Sequence, residues 1–148
     1  MKYEDLFCTL EQAENLFKLG ISQHAHFYFY EEIVNGKTRF PIKPLMIWGT
    51  ASWNQRNDDL YSALQKVDKN AIYAAFTAQE LGNMLPAGYL FRRDDPHWHC
   101  QESDDGFQGM CGLTMAQAMA FELISLIDEG RLTVNGINEE LLKGSRHA

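Results

Sequence analysis

Residues 24–48 read HAHFYFYEEIVNGKTRFPIKPLMIW, and how this stretch folds decides the architecture. It is dense in aromatic and β-branched side chains, which suit a half-buried pleated surface, and Asn35-Gly36 lies near its middle. Asn-Gly favours a two-residue type I′ turn because both central residues of that turn need positive φ. A hairpin folded there sets Glu32 opposite Arg39 and Tyr28 opposite Lys43 on one face, and Phe29 opposite Ile42 on the other. The same alternation puts His24, His26, Tyr28 and Tyr30 on one face, with Ala25, Phe27 and Phe29 on the opposite one. Pro41 and Pro44 have no N–H to give to a ladder, so the returning strand is expected at an edge or to end early.

Outward from the hairpin, three segments carry Thr-x-x-Gln or Thr-x-x-Glu: Thr9 with Gln12, Thr77 with Glu80, and Thr114 with Gln117. In each the hydroxyl can accept from the backbone N–H three residues on while the longer side chain reaches back, which marks a helix start. The first helix ends at Gly20. The second runs to about Met84 and is stopped by Pro86. The third, residues 114–129, is the longest, with Ala116, Met119, Ala120, Leu123, Leu126 and Ile127 on a broad apolar face and Gly130 as its stop. A charged segment, residues 57–70, has Leu60, Leu64 and Val67 at helical spacing, and AIYAAF, ending at Phe76, reads as a short strand. A second hairpin is expected around Asp94-Asp95-Pro96, pairing Phe91 with Trp98. ESDDGFQGMCG after it reads as a loop. The tail RLTVNGINEELLK reads as a short strand, an Asn135-Gly136 turn and a last helical turn. The pattern predicts a single α+β domain over residues 1–148: a small, mainly antiparallel sheet packed against one long helix and two to three short helices.

The 148 residues are 45% hydrophobic and 12% aromatic, enough to close one core. A formal charge of −7 argues against a general nucleic-acid or anionic-membrane binder, which must neutralise phosphates with clustered Lys and Arg. Here the basic residues are compensated, as where Arg92 and Arg93 precede Asp94 and Asp95. Cys8, Cys100 and Cys111 form an odd set without Cys-x-x-Cys spacing, so no disulfide framework is expected. The stretch MKYEDLF carries acids where a secretory signal carries basic and then apolar residues. The most apolar run, residues 111–127, is interrupted by Gln117 and Glu122 and does not read as a membrane span. The expected location is cytoplasmic, with reduced thiols.

Four of the five histidines fall in two His-x-His pairs, His24/His26 and His97/His99. Residues two apart on a strand face the same way, so each pair can offer two imidazoles to one point. Zinc or another divalent transition metal needs three or four ligands converging at about 2.0–2.3 Å. The candidate ligands are His97, His99 and Glu102, joined by His24 and His26; alternation turns Cys100 away from them. The His-x-His-x-Asp-His pattern of metallo-β-lactamase sites is not completed, since Gln101 and Glu102 follow. An isolated His-x-His is more often a pair of surface or hydrogen-bonded histidines, so the first expectation is no cofactor and metal is the alternative. No Gly-x-Ser-x-Gly, phosphate-binding glycine loop or His-Glu-x-x-His occurs, and no catalytic residue is assigned. Tyr28 and Tyr30, with Phe121 among the polar positions of the long helix, are instead candidates for an interaction surface. That surface would serve a protein partner or self-association as a homodimer.

FCTLEQAENLFKLGISQ, an aromatic strand, AIYAAFTAQELGNMLP and an alanine-rich helix ending in LISLIDEG follow one another along the chain. In that order they resemble a group of small proteins of unassigned activity encoded in bacterial prophages and related mobile elements. The resemblance implies a phage-derived accessory protein that works through binding, and it carries no catalytic residues over.

Overall fold

The computed structural model describes residues 2–23, 25–44, 71–86, 89–94, 97–102, 108–112 and 114–146. The three threonine starts each cap a helix. In α1 (Leu10–Leu19) the Thr9 hydroxyl accepts from the Gln12 N–H at 3.1 Å and the Gln12 side chain accepts from the Thr9 N–H at 3.0 Å. Gly20, at φ 96°, closes this helix in the left-handed region that favours glycine. Thr77 and Glu80 make the same reciprocal pair at the start of α2 (Ala78–Met84). At α3 (Met115–Asp128) only the threonine half is made, the Thr114 hydroxyl accepting from the Gln117 N–H at 3.1 Å.

The tail departs from its reading. Residues Val134–Arg146 form one continuous helix, α4, in place of a strand and a turn. Thr133 starts it, its hydroxyl accepting from the Gly136 N–H at 3.1 Å and its carbonyl from the Ile137 N–H. The third position after this threonine is glycine rather than Gln or Glu, so the capping signature of the other helices is missing. Buried Ile137 and half-buried Leu141, one helical turn apart, supply the tertiary contact that overrides the Asn-Gly turn preference. Asn138 of α4 also clamps the end of α1: its amide oxygen accepts from the Ser22 N–H at 2.7 Å and its amide nitrogen donates to the Gly20 carbonyl at 3.0 Å.

The hairpin forms in the expected register. β1 (Phe27–Tyr30) pairs antiparallel with β4 (Ile42–Pro44), Tyr28 against Lys43 and Phe29 against Ile42. β2 (Glu32–Val34) pairs with β3 (Lys37–Arg39), Glu32 against Arg39. Asn35 at φ 53° and Gly36 at φ 74° have the two positive values that a type I′ turn demands. At the Tyr30 and Pro41 position the ladder makes one bond, from the Tyr30 N–H to the Pro41 carbonyl at 3.0 Å, because proline has nothing to donate in return. The hairpin therefore divides into β1/β4, which joins β5 (Ile72–Ala74) in the sheet order β4-β1-β5, and β2/β3, a two-stranded sheet of its own.

As the centre strand, β1 is covered on both faces, and Tyr28 and Phe29 are both buried. The Tyr28 hydroxyl donates to the Gln23 carbonyl at 2.7 Å, and the buried Gln23 amide accepts from the Ala74 N–H and donates to the Ile21 carbonyl. These bonds satisfy polar groups that burial would otherwise make costly.

A third sheet has the order β6-β7-β8, from Tyr89–Asp94, His97–Glu102 and Gln108–Gly112. Two expectations are corrected here. Phe91 pairs with Cys100 and Arg93 with Trp98, a shift of two residues from the expected Phe91–Trp98 register, and Asp94 pairs with His97. Residues 108–112, read as loop, form the edge strand β8 beside β7. Its glycines hid it, and Gly112 has a structural reason to be glycine: a Cβ there would lie 2.8 Å from the Ala118 nitrogen and 2.8 Å from the Gln117 Cβ, so the strand rests directly on the first turns of α3. α3 also packs on α1, α2 and β7, which makes the alanine-rich helix the centre of the fold. The helix read at residues 57–70 lies outside the described residues.

Candidate functional site

A cavity of about 380 Å³ opens between the segment preceding α1 and the β1/β4 sheet. A 3-10 turn, Tyr3–Leu6, forms its outer wall, held by a bond from the Lys2 N–H to the Asp5 carboxylate at 3.1 Å. Behind it Phe7 bridges to Thr77, and the Cys8 N–H donates to the Phe76 carbonyl at 2.9 Å, fixing this wall to the segment that joins β5 to α2. The Tyr3, Phe7 and Phe27 rings pack edge to face, with Phe7 5.3 Å from each of the other two. From the sheet come Phe29 and its cross-strand partner Ile42, with Phe40 and Pro41 where the ladder breaks. Phe40 stacks on Tyr73 at 6.2 Å. Gln117 closes the far side from the first turn of α3.

The lining is apolar and aromatic with an acidic edge: among the described residues Glu4 and Asp5 are its charged ones. The nearby cations Arg39 and Lys43 are engaged elsewhere, 2.9 and 2.8 Å from the two oxygens of Glu32. Hydrogen bonds from Lys43, and then from Arg39, hold the Glu32 carboxyl below the ordinary carboxylate range. The thiol in the lining, Cys8, is buried, and desolvation pushes it up to about 12. It stays a neutral S–H at physiological pH, an apolar surface rather than a nucleophile.

Among the described residues the groove lining contains no histidine. His26 precedes β1 instead of lying on it, is exposed, and donates its backbone N–H to the Glu80 carboxylate at 3.2 Å. His24 lies outside the described residues. By register, His97 stands opposite Asp94, His99 opposite Arg92 on one side and Cys111 on the other, and Glu102 opposite Tyr89. Their side chains lie outside the described residues. Among the described residues no group of three or more His, Cys, Asp or Glu is placed to hold a metal.

Of the surface candidates, Tyr28 is corrected: with both sheet faces covered it is sealed in the core and offers nothing to a partner. Tyr30 is half-buried with the Lys43 ammonium 5.1 Å from its ring centroid, and Phe121 is 40% exposed on α3. The groove itself was missed in the sequence, because Tyr3, Phe7, Phe40 and Gln117 come from separated segments and share no spacing. No helix among the described residues is long and apolar enough to cross a membrane. Comparison of the chain with family models, with curated proteins and with solved structures finds no match.

Proposed function

We propose that this chain is a non-enzymatic interaction protein whose groove receives an apolar, positively charged segment of a partner. The observation that carries the reading is the cavity of about 380 Å³ with aromatic and aliphatic walls and with Glu4 and Asp5 as the charged residues among those described. Its volume falls in the lower part of the range of about 300–1,000 Å³ typical of ligand pockets, which fits one or two large side chains. Apolar walls reward burial of such side chains, while the acids at the edge favour a neighbouring Lys or Arg and raise the rate of encounter. Binding rather than catalysis is supported by the lining thiol, which is held un-ionised and has no role as a nucleophile at neutral pH. The phage-derived accessory role implied by the resemblance of residues 7–23 and 71–86 would be exercised through this groove.

The test is an NMR titration of the isotopically labelled protein with a short Leu/Lys peptide and with its Leu/Glu counterpart. Saturable shifts at the amides of Leu10, Phe29 and Ile42 are expected with the lysine peptide, weaker with the glutamate peptide, and reduced several-fold by Glu4→Lys. Absence of saturable shifts at the groove with both peptides, or lysine-peptide binding indifferent to Glu4→Lys, defeats the reading.

A further inference from the structure

We infer that the β2/β3 hairpin is a self-association arm, and that two copies of this chain join through the outer edge of β2, with Ile33 of each copy opposite Ile33 of the other. The inference is independent of the groove. Beyond the ladder break at Pro41 the arm forms its own sheet, and among the described residues β2 pairs with β3 alone. Every residue of β3 is exposed, and Ile33, at 66%, is the most exposed of the large apolar residues described. A lone two-stranded sheet is marginal in water, and an uncovered apolar edge is a template for another strand.

The hydrogen-bond pattern fixes which groups are available. Backbone groups alternate along β1 and β2 between the β4/β3 side and the outer side. The Tyr30 N–H points to the β4/β3 side, where it meets the Pro41 carbonyl, and the Glu31 N–H points outward, where it meets the Ala71 carbonyl at 2.9 Å. Two residues further on, the N–H and C=O of Ile33 also point outward. An antiparallel strand centred on Ile33 accepts from that N–H and donates to that C=O. A second copy of the same strand does both at once across a two-fold axis, giving two hydrogen bonds and a four-stranded sheet.

Charge selects this edge over the other. Paired about Ile33, Glu32 of one copy lies opposite Val34 of the other, and the Glu32 carboxylate is already met by Arg39 and Lys43 of its own chain. The alternative, pairing about Thr38 on the β3 edge, would set Lys37 opposite Arg39 of the other copy twice, placing like charges face to face. Short strands bury less than a standard interface, so association is weak and concentration-dependent.

Proline tests the edge atom by atom. Ile33→Pro removes the outward N–H while leaving the bonds between β2 and β3 in place, a position where an edge strand tolerates proline. Thr38→Pro does the same on the β3 edge. Sedimentation from about 10 μM to 1 mM should show the wild-type mass rising from monomer toward dimer, covering the range expected for a small interface. Ile33→Pro should weaken this by about tenfold or more through loss of both intermolecular bonds, and Thr38→Pro should leave it unchanged. Ile33→Lys, which sets two lysines face to face and keeps the hairpin backbone, should weaken it as well, so the result does not depend on the proline variant folding. A monomer at every concentration, a dimer indifferent to both Ile33 substitutions, or a dimer broken by Thr38→Pro overturns the inference.

Discussion

Gln12 joins local and tertiary structure in one side chain, and its replacement gives a measurable account of how α1 is seated. The buried Gln12 oxygen accepts from the Thr9 N–H at 3.0 Å, and its nitrogen donates to the Gln117 carbonyl in the first turn of α3, also at 3.0 Å. Gln12→Leu keeps the side chain's bulk and removes both bonds. Loss of the reciprocal bond from the Thr9 N–H, with the Thr9 hydroxyl bond kept, contributes about 1 kcal/mol and loss of the tie to α3 about another 1 kcal/mol, for a destabilisation of about 2 kcal/mol. For a chain of 148 residues this lowers Tm by about 6 °C. Gln12→Glu separates the two contributions. It keeps an acceptor for the Thr9 N–H and places a negative charge at a helix N-terminus, whose dipole offsets part of the cost of burying a carboxylate there. It also turns an oxygen toward the Gln117 carbonyl where a donor stood. If the tie to α3 matters as the geometry says, Gln12→Glu loses stability too. Scanning calorimetry on the three proteins decides the matter: a fall of under about 2 °C in Gln12→Leu, together with wild-type stability or better in Gln12→Glu, refutes the account.

Cys8 and Gly112 yield two further predictions. Burial raises the Cys8 thiol from 9.0 to about 12, so between these values the unfolded chain releases this proton while the folded chain retains it, and stability falls with rising pH by about 1.4 kcal/mol per unit across that window. Denaturant unfolding at pH 8 and pH 10 should show the wild-type advantage over Cys8→Ala shrinking at the higher pH by about 1 kcal/mol, and an advantage that is constant or grows contradicts the assignment. In Gly112→Ala the new methyl meets backbone of α3 at 2.8 Å, so β8 must move; a loss of about 2 kcal/mol is expected, measured by the same unfolding, and a neutral substitution would mean that β8 does not rest on the helix as described.

What the sequence made readable was chemistry settled within a few residues. Asn35-Gly36 fixes its own turn because positive φ is needed at both positions, and the turn then dictates every pairing out to Phe29 and Ile42. The threonine caps are equally local, and all three appear where the spacing places them. Readings failed where a distant element decides. Alternation along β1 implies one solvent-facing side, but β4 and β5 flank the strand and both of its faces are packed, so Tyr28 is core. The Asn-Gly at 135–136 is the same dipeptide as at 35–36 and forms a helix turn, because Ile137 and Asn138 engage the rest of the fold. The aromatic run that follows His26 directly makes it read as a strand residue, yet the strand begins at Phe27. In β8 the glycines that suggested a loop include the one needed for close approach to α3.

Pro41 shows how one local feature reaches both surfaces proposed for binding. Opposite Tyr30 it stands where two hydrogen bonds would close an antiparallel pair, and it can accept one but cannot donate the other. The ladder stops there. On the side toward β1 and β4, Phe40 stacks on Tyr73 and, with Pro41 itself, lines the groove beside Phe29 and Ile42. On the side toward Asn35-Gly36, β2 and β3 continue as an arm with the outer edge of Ile33 uncovered among the described residues. A residue with a donor at position 41 would extend β1/β4 into β2/β3 as one continuous pair. The proline therefore separates a sheet that contributes to the core and the groove from an arm that is free to meet a second chain, and it keeps the strand register common to both.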